Sequence, residues 1–241
     1  MIGEPEVFDL REPWFVSPQG SRSTRAARPH PPRDAKRVIT VFGQVIQGHT
    51  SDPAGVRQAM ERWMRDVSPG AVGWVRTTAG VTHDGEFIAV LQFDSQEAAR
   101  ANSDRREQDR WWADLCAVLD REVTVRNGIR TEVFLAGDLG QAGFVQVVQG
   151  RVSDIDRARE RMHALQDALK VHLPALLGTV TVELGAGRFT RALYFSTEDE
   201  ARAAELEMPP EIRARDQEAR QLVVGPVEFL DLREPWLYAA R

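Results

Sequence analysis

The sequence predicts an α+β protein made of two copies of one unit, each copy about the ~100 residues of a small domain. Three observations carry that prediction. Phe42-Gly-Gln-Val-Ile-Gln-Gly48 recurs as Phe144-Val-Gln-Val-Val-Gln-Gly150, and Phe93-Asp-Ser-Gln-Glu-Ala-Ala-Arg-Ala101 recurs as Phe195-Ser-Thr-Glu-Asp-Glu-Ala-Arg-Ala203. Both pairs share one offset, 102 residues, as a duplicated domain produces. Within each copy, strand-like and helix-like periodicities then alternate in the same order.

Each copy opens on a strand rich in β-branched residues, Val38 to Gln47 and Phe144 to Val152. An amphipathic helix follows. Its apolar stripe is Val56, Met60, Trp63, Met64 and Val67 in the first copy, and Ile155, Ala158, Met162, Leu165 and Leu169 in the second. A hairpin comes next, Trp74 to Thr82 and Glu86 to Phe93, turning at Asp84-Gly85; Gly185 to Gly187 plays that part in the second copy. Ser95 and Thr197 are expected helix caps, because a short hydroxyl side chain accepts a free N–H of the first turn. A second stripe, Trp111, Trp112, Leu115, Cys116 and Leu119, follows in the first copy. Final strands at Glu132 to Leu135 and Val227 to Leu230 complete the order βαββαβ, which is ferredoxin-like. In Glu86 to Phe93 both alternating faces are apolar, so the sheets are expected to bury their open faces against each other as a barrel within one chain. The predicted organisation is an N-terminal arm over 1–37, units over 38–137 and 141–232, and a tail over 233–241.

Composition bounds the function. No apolar run reaches the ~18 residues of a membrane span, and Met1 to Asp9 lacks the pattern of a signal peptide, so the expected location is the cytoplasm. A single cysteine, Cys116, cannot form an internal disulfide, and no Cys/His spacing builds a zinc site, so no metal is expected. Ser17 to Arg37 is +5, which leaves −10 on the rest of a chain of net charge −5. A mostly acidic body argues against nucleic acid as a partner and makes the basic segment a solvated linker.

The strand Gln-Val-Ile-Gln-Gly, the Trp-bearing helix, the hairpin and Phe93-Asp-Ser-Gln-Glu-Ala-Ala-Arg resemble the dimeric α/β-barrel superfamily, in particular its antibiotic-biosynthesis-monooxygenase-like branch. The resemblance covers 38–232. It implies a small-molecule ligand lying between sheet and helices, held by Asn, Trp and Arg. It also implies cofactor-independent oxygenation of an aromatic or polyketide-like substrate that itself supplies the electrons. Other members are haem-degrading enzymes, haem peroxidase-like proteins, polyketide cyclases and stress-associated proteins of no known activity, and fold carries over further than function.

The candidate pocket residues are Gln44, Trp63, Trp74, Arg76, Asn102, Trp112 and Gln146, with the first copy expected to hold the better pocket. For each tryptophan a core role competes with ligand stacking and is favoured, because an indole buries a large area and needs only one acceptor. Gln44 and Gln146 interrupt apolar strands at matching positions, where a buried amide must be satisfied; a structural network is favoured over a substrate contact. No catalytic pattern links His30, His49, His83, His163 and His172. Under the haem alternative, only His163 or His172 offers a helical axial ligand. Asp9-Leu-Arg-Glu-Pro-Trp14 and Asp231-Leu-Arg-Glu-Pro-Trp236 are identical hexapeptides. They are expected to cover sheet edges, with a homo-oligomer or assembly contact through the paired tails as the alternative.

Overall fold

The computed structural model describes residues 39–135, 137–206 and 210–240. The basic arm, and with it the first hexapeptide, lies outside the described residues. The first unit runs β1 (Ile39–Thr40), β2 (Phe42–His49), α1 (Pro53–Arg62), β3 (Trp74–Val81), β4 (Glu86–Phe93), α2 (Gln96–Ser103), α3 (Arg106–Cys116), β5 (Thr124–Asn127) and β6 (Arg130–Leu135). The second runs β7 (Phe144–Arg151), α4 (Ile155–His172), β8 (Leu176–Gly185), β9 (Arg188–Phe195), α5 (Glu198–Leu206), α6 (Pro210–Arg220), β10 (Glu228–Leu232) and β11 (Trp236–Ala239).

The repeat is visible at the helix starts. Asp52 and Asp154 each cap a helix, accepting the N–H of Gly55 and Arg157 at 2.9 Å. Ser95 accepts from Ala98 N–H at 3.1 Å, and Thr197 from Glu200 N–H at 3.2 Å. The end of α1 widens into a π turn, Trp63–Val67, with Trp63 and Val67 both buried.

Two antiparallel sheets result, one ordered β11-β3-β4-β2-β5 and the other β1-β6-β8-β9-β7-β10. Within them the units' own strands, β3-β4-β2-β5 and β8-β9-β7-β10, keep the ferredoxin-like order. The sheets face each other across a core that includes Val45, Val90, Val147, Val180 and Tyr194, so the barrel within one chain is present. Ile88 and Val90 point into it, while Phe87, Ala89, Leu91 and Phe93 point out to the helices of the first unit. The Tyr194 and Thr78 hydroxyls, one from each sheet, are 2.7 Å apart inside it.

One expected element is displaced. β5 closes the first sheet against β2, whereas Glu132 to Leu135 belongs to β6 and pairs with β8 on the second sheet. The chain changes sheets across one peptide: Gly128 N–H donates to Gly43 O and Ile129 N–H to Glu183 O, both at 2.8 Å. Gly128 is required there, since a Cβ would approach a Val182 methyl to 2.6 Å. The second unit does the same at its own end, where β10 pairs with β7 and β11 crosses to pair with β3. Each unit therefore covers the outer edge of the other's sheet, and the C-terminal hexapeptide is the corner where the crossing occurs. Its residues are used accordingly: Leu232 is buried in the interior core and Trp236 in the core outside the first sheet. Asp231 pairs with Arg202, and Arg233 Nε donates to Glu198 at 2.8 Å.

Candidate functional site

In the first unit a cluster of tryptophans packs between sheet and helices. Trp63 lies edge-on to Trp74 at 4.9 Å between ring centroids and to Trp111 at 6.3 Å. Their donors are satisfied within the protein: Trp63 Nε1 by Gln108 Oε1 at 2.9 Å, Trp74 Nε1 by Thr77 Oγ1 at 2.9 Å, and Trp111 Nε1 by the Ala59 carbonyl at 2.7 Å. Asn102 donates to the same Gln108 oxygen at 3.1 Å and accepts from Arg105 at 3.1 Å. Trp112 is half-buried at the margin of this cluster. Three edge-packed indoles and their partners thus occupy the space around Trp63, Trp74 and Asn102, and the first unit's cavity, about 390 Å³, lies instead at the start of α1 against Val81, Arg233 and Trp236. Arg76 is not among the partners of the indoles. Its position alternates with Thr77 and Ala79 and shares the inward face with Thr78, where its charge acts on Tyr194.

The two glutamines form a matched pair. Gln44 Nε2 donates to Asn127 Oδ1 at 2.8 Å, and Gln146 Nε2 to Asp231 Oδ1 at 3.2 Å and Glu205 Oε1 at 3.1 Å. In each unit the amide thus holds the last strand just before the chain leaves for the other sheet.

The second unit contains a cavity of about 160 Å³ between α4, α6 and the outer face of β6, β8 and β9. A cavity of roughly 150 Å³ accommodates an aromatic ring. Phe134, Met162, Leu169 and Phe189 give it apolar walls, and Glu132, Arg159, His163, Glu183 and Arg191 give it charge. His163 Nε2 is 2.9 Å from Glu132 Oε2. Arg159 grips Glu183 with Nε and Nη2, each at 2.9 Å, donates to Asp156 at 2.7 Å, and lies 3.5 Å from Glu132. Burial works against the Arg159 charge, but Asp156, Glu183 and Glu132 outweigh it and hold the guanidinium above its ordinary range. Arg191 Nε donates to Thr181 Oγ1 at 3.0 Å. Neither Glu132, Arg159, Glu183 nor Arg191 was singled out from the sequence. Glu132 and His163 sit on elements of different units, so no local spacing joins them.

The two sheets share one transverse row and differ in another. One transverse row reads Tyr238, Thr77, Leu91, Gln44, Asn127 in the first sheet and Phe134, Thr179, Leu193, Gln146, Asp231 in the second. These match in chemistry position by position. The outward row two residues along reads Trp236, Ala79, Ala89, Ile46 in the first sheet and Glu132, Thr181, Arg191, Val148 in the second. Here an apolar filling has been replaced by an acid, a hydroxyl and a base. On the helix, by contrast, the 102-residue offset sets His163 opposite Glu61 and Arg159 opposite Arg57, so charge there is common to both units. Since the first unit folds with an apolar row, the charged row is not a requirement of the architecture.

The haem alternative fits these residues poorly. His163 Nε2 is already engaged by Glu132, and a cavity of about 160 Å³ is on the scale of a ring or two rather than a tetrapyrrole. His172 lies exposed in the last turn of α4. Among the described residues, no group of three or more His, Cys, Asp or Glu is arranged to hold a metal ion, and no helix is long and apolar enough to cross a membrane.

No known family profile matches the sequence, and no curated protein matches it. Among solved structures the chain is similar to a candidate monooxygenase from Lactobacillus acidophilus NCFM, at 13% identity and a TM-score of 0.63 over 83% of this chain and 99% of that one. It is similar to a candidate monooxygenase from Fusobacterium nucleatum subsp. nucleatum ATCC 25586, at 8% identity and a TM-score of 0.64 over 83% and 95%. It is also similar to an anthrone oxidase-like protein, at 13% identity and a TM-score of 0.59 over 83% and 96%. At these identities the likeness is one of fold, and it extends across both units.

Proposed function

We propose that the chain binds a small aromatic molecule in the second unit's cavity and oxygenates it without a cofactor. The observation that carries this reading is the His163–Glu132 pair lining a partly apolar cavity, where the first unit places the buried Trp236 in the position of Glu132. Glu132 accepting from Nε2–H leaves the imidazole lone pair on Nδ1, the arrangement of a general base held in one tautomer. An electron-rich phenol loses its proton to that base, and Arg159 and Arg191 place positive charge along the wall where the phenolate forms. The phenolate's ring carbon then attacks dioxygen; the resulting hydroperoxide loses water and leaves a quinone carbonyl. One dioxygen is consumed per substrate, with one oxygen atom in the product and one in water. The electrons come from the substrate. The names of the fold neighbours support this reaction class.

Oxygen uptake with a panel of electron-rich phenols and naphthols tests the reading. A positioned base contributes typically ~10²- to 10⁴-fold, so His163→Ala should lower the rate by at least ~10²-fold while circular dichroism remains that of the folded protein. Uptake equal in wild type and variant would overturn the assignment of the base. A saturable haemin absorption band that is lost in the same variant would replace the reading with haem chemistry.

A further inference from the structure

The first unit shows what shape the second unit's cavity has been left to receive. Trp236 pairs with Ala79 and is buried beside α1; Glu132 pairs with Thr181 at the matching place beside α4. Both residues arrive on the strand that crosses from the other unit, β11 in one case and β6 in the other. The flanking aromatic, Tyr238 or Phe134, and the Thr facing it are retained, so the walls on that side match. Where the first unit puts an indole, the second puts a carboxylate and leaves a cavity of about 160 Å³.

We infer that the ligand of this cavity is a fused bicyclic aromatic of indole or naphthol size, carrying one O–H or N–H donor, and that Glu132 sets this specificity. The inference rests on the proposed function for the location of the site, but not for its chemistry. The rings take the volume that the Trp236 indole takes in the other unit, against Phe134, Met162 and Phe189. The donor meets the His163–Glu132 pair, the place where the second unit has exchanged apolar for ionisable groups. A single ring leaves part of the cavity empty and forfeits contact with its lining. A linear tricycle exceeds a cavity of about 160 Å³ and leaves a ring outside its apolar lining.

Calorimetric titration with phenol, indole, 2-naphthol and anthrone, under nitrogen so that no turnover occurs, reads this directly. The bicyclic ligands should bind at least tenfold more tightly than phenol or anthrone. Glu132→Trp places in the cavity the side chain that fills the first unit and should weaken 2-naphthol binding at least fiftyfold. If that variant does not fold, Ala158→Leu fills the cavity from the α4 wall and should give the same loss. Tightest binding of phenol or of anthrone, or undiminished 2-naphthol binding by a folded filling variant, would overturn the inference. Bicyclic binding without oxygen uptake in air would leave this inference standing and defeat the oxygenase reading, so the two fail separately.

Discussion

Glu132 joins three features of the site, because it bonds His163, lies 3.5 Å from Arg159 and occupies the position that Trp236 fills in the first unit. At this scale the sequence was least informative. His163 was legible only as an imidazole beside the apolar stripe of α4, since its carboxylate is 31 positions away on a strand crossing from the other unit. Gln44 and Gln146 were legible as buried amides needing partners, because a polar residue in an apolar strand poses that question by itself. Tyr194 was not anticipated at all. Its hydroxyl and that of Thr78 satisfy each other at 2.7 Å between the sheets, so Tyr194→Phe should leave a buried Thr78 hydroxyl unpaired and cost about 1–3 kcal/mol. Urea unfolding measures this; no change in midpoint would mean that the contact contributes nothing to closing the barrel.

Among the elements, strands with β-branched runs, capped helices and glycine-marked hairpins fell where periodicity put them. The division between β5 and β6 did not. Thr124-Val-Arg-Asn127 is short and polar at alternate positions, so hydropathy offers nothing to mark it, and a change of sheet at Gly128 leaves no mark in hydropathy either. The C-terminal hexapeptide was recognisable as a repeated unit that covers an edge, and it does so by turning from β10 to β11. Trp236 is the anchor of that turn. Trp236→Ala should therefore cost about 3–5 kcal/mol, as removal of a buried large aromatic does, whereas Glu234→Ala, an exposed position in the same corner, should stay within about 0.5 kcal/mol. Equal effects in thermal unfolding would show that the corner is not held by its tryptophan.

For the whole molecule, the two units are tied by exchange: each completes the other's sheet, and the second unit's cavity takes Glu132 and Phe134 from the first unit's final strand. The duplication and the face-to-face sheets could be read from the constant offset and from strands apolar on both sides. Where each unit keeps an open pocket could not, because the indoles that suggest ligand stacking are the same indoles that fill a core. The closed barrel also has a pH signature. Burial pushes the Tyr194 hydroxyl up to about 12, against smaller opposing effects of Thr78 and Arg76, and burial likewise raises Tyr238. The unfolded chain gives up these protons near the ordinary value of ~10 and so binds fewer protons than the folded chain above it. The associated stability is present below pH ~10 and is lost as pH rises toward 12. The chain has only two tyrosines, so in a Tyr238→Phe variant the phenolate band reports Tyr194 alone and should stay flat through pH ~10 and rise together with unfolding. Ionisation near 10 in a protein that is still folded would contradict the buried placement.

The most direct measurement of the central claim, that the ligand site lies in the second unit, is an NMR titration of the isotopically labelled chain with 2-naphthol under nitrogen. Backbone amides of α4 and β8 around His163, Thr181 and Glu183 should shift with ligand, while the indole N–H signals of Trp63, Trp74 and Trp111 stay in place. Shifts concentrated on those three indoles and on Asn102, with α4 unmoved, would return the site to the first unit and contradict the account.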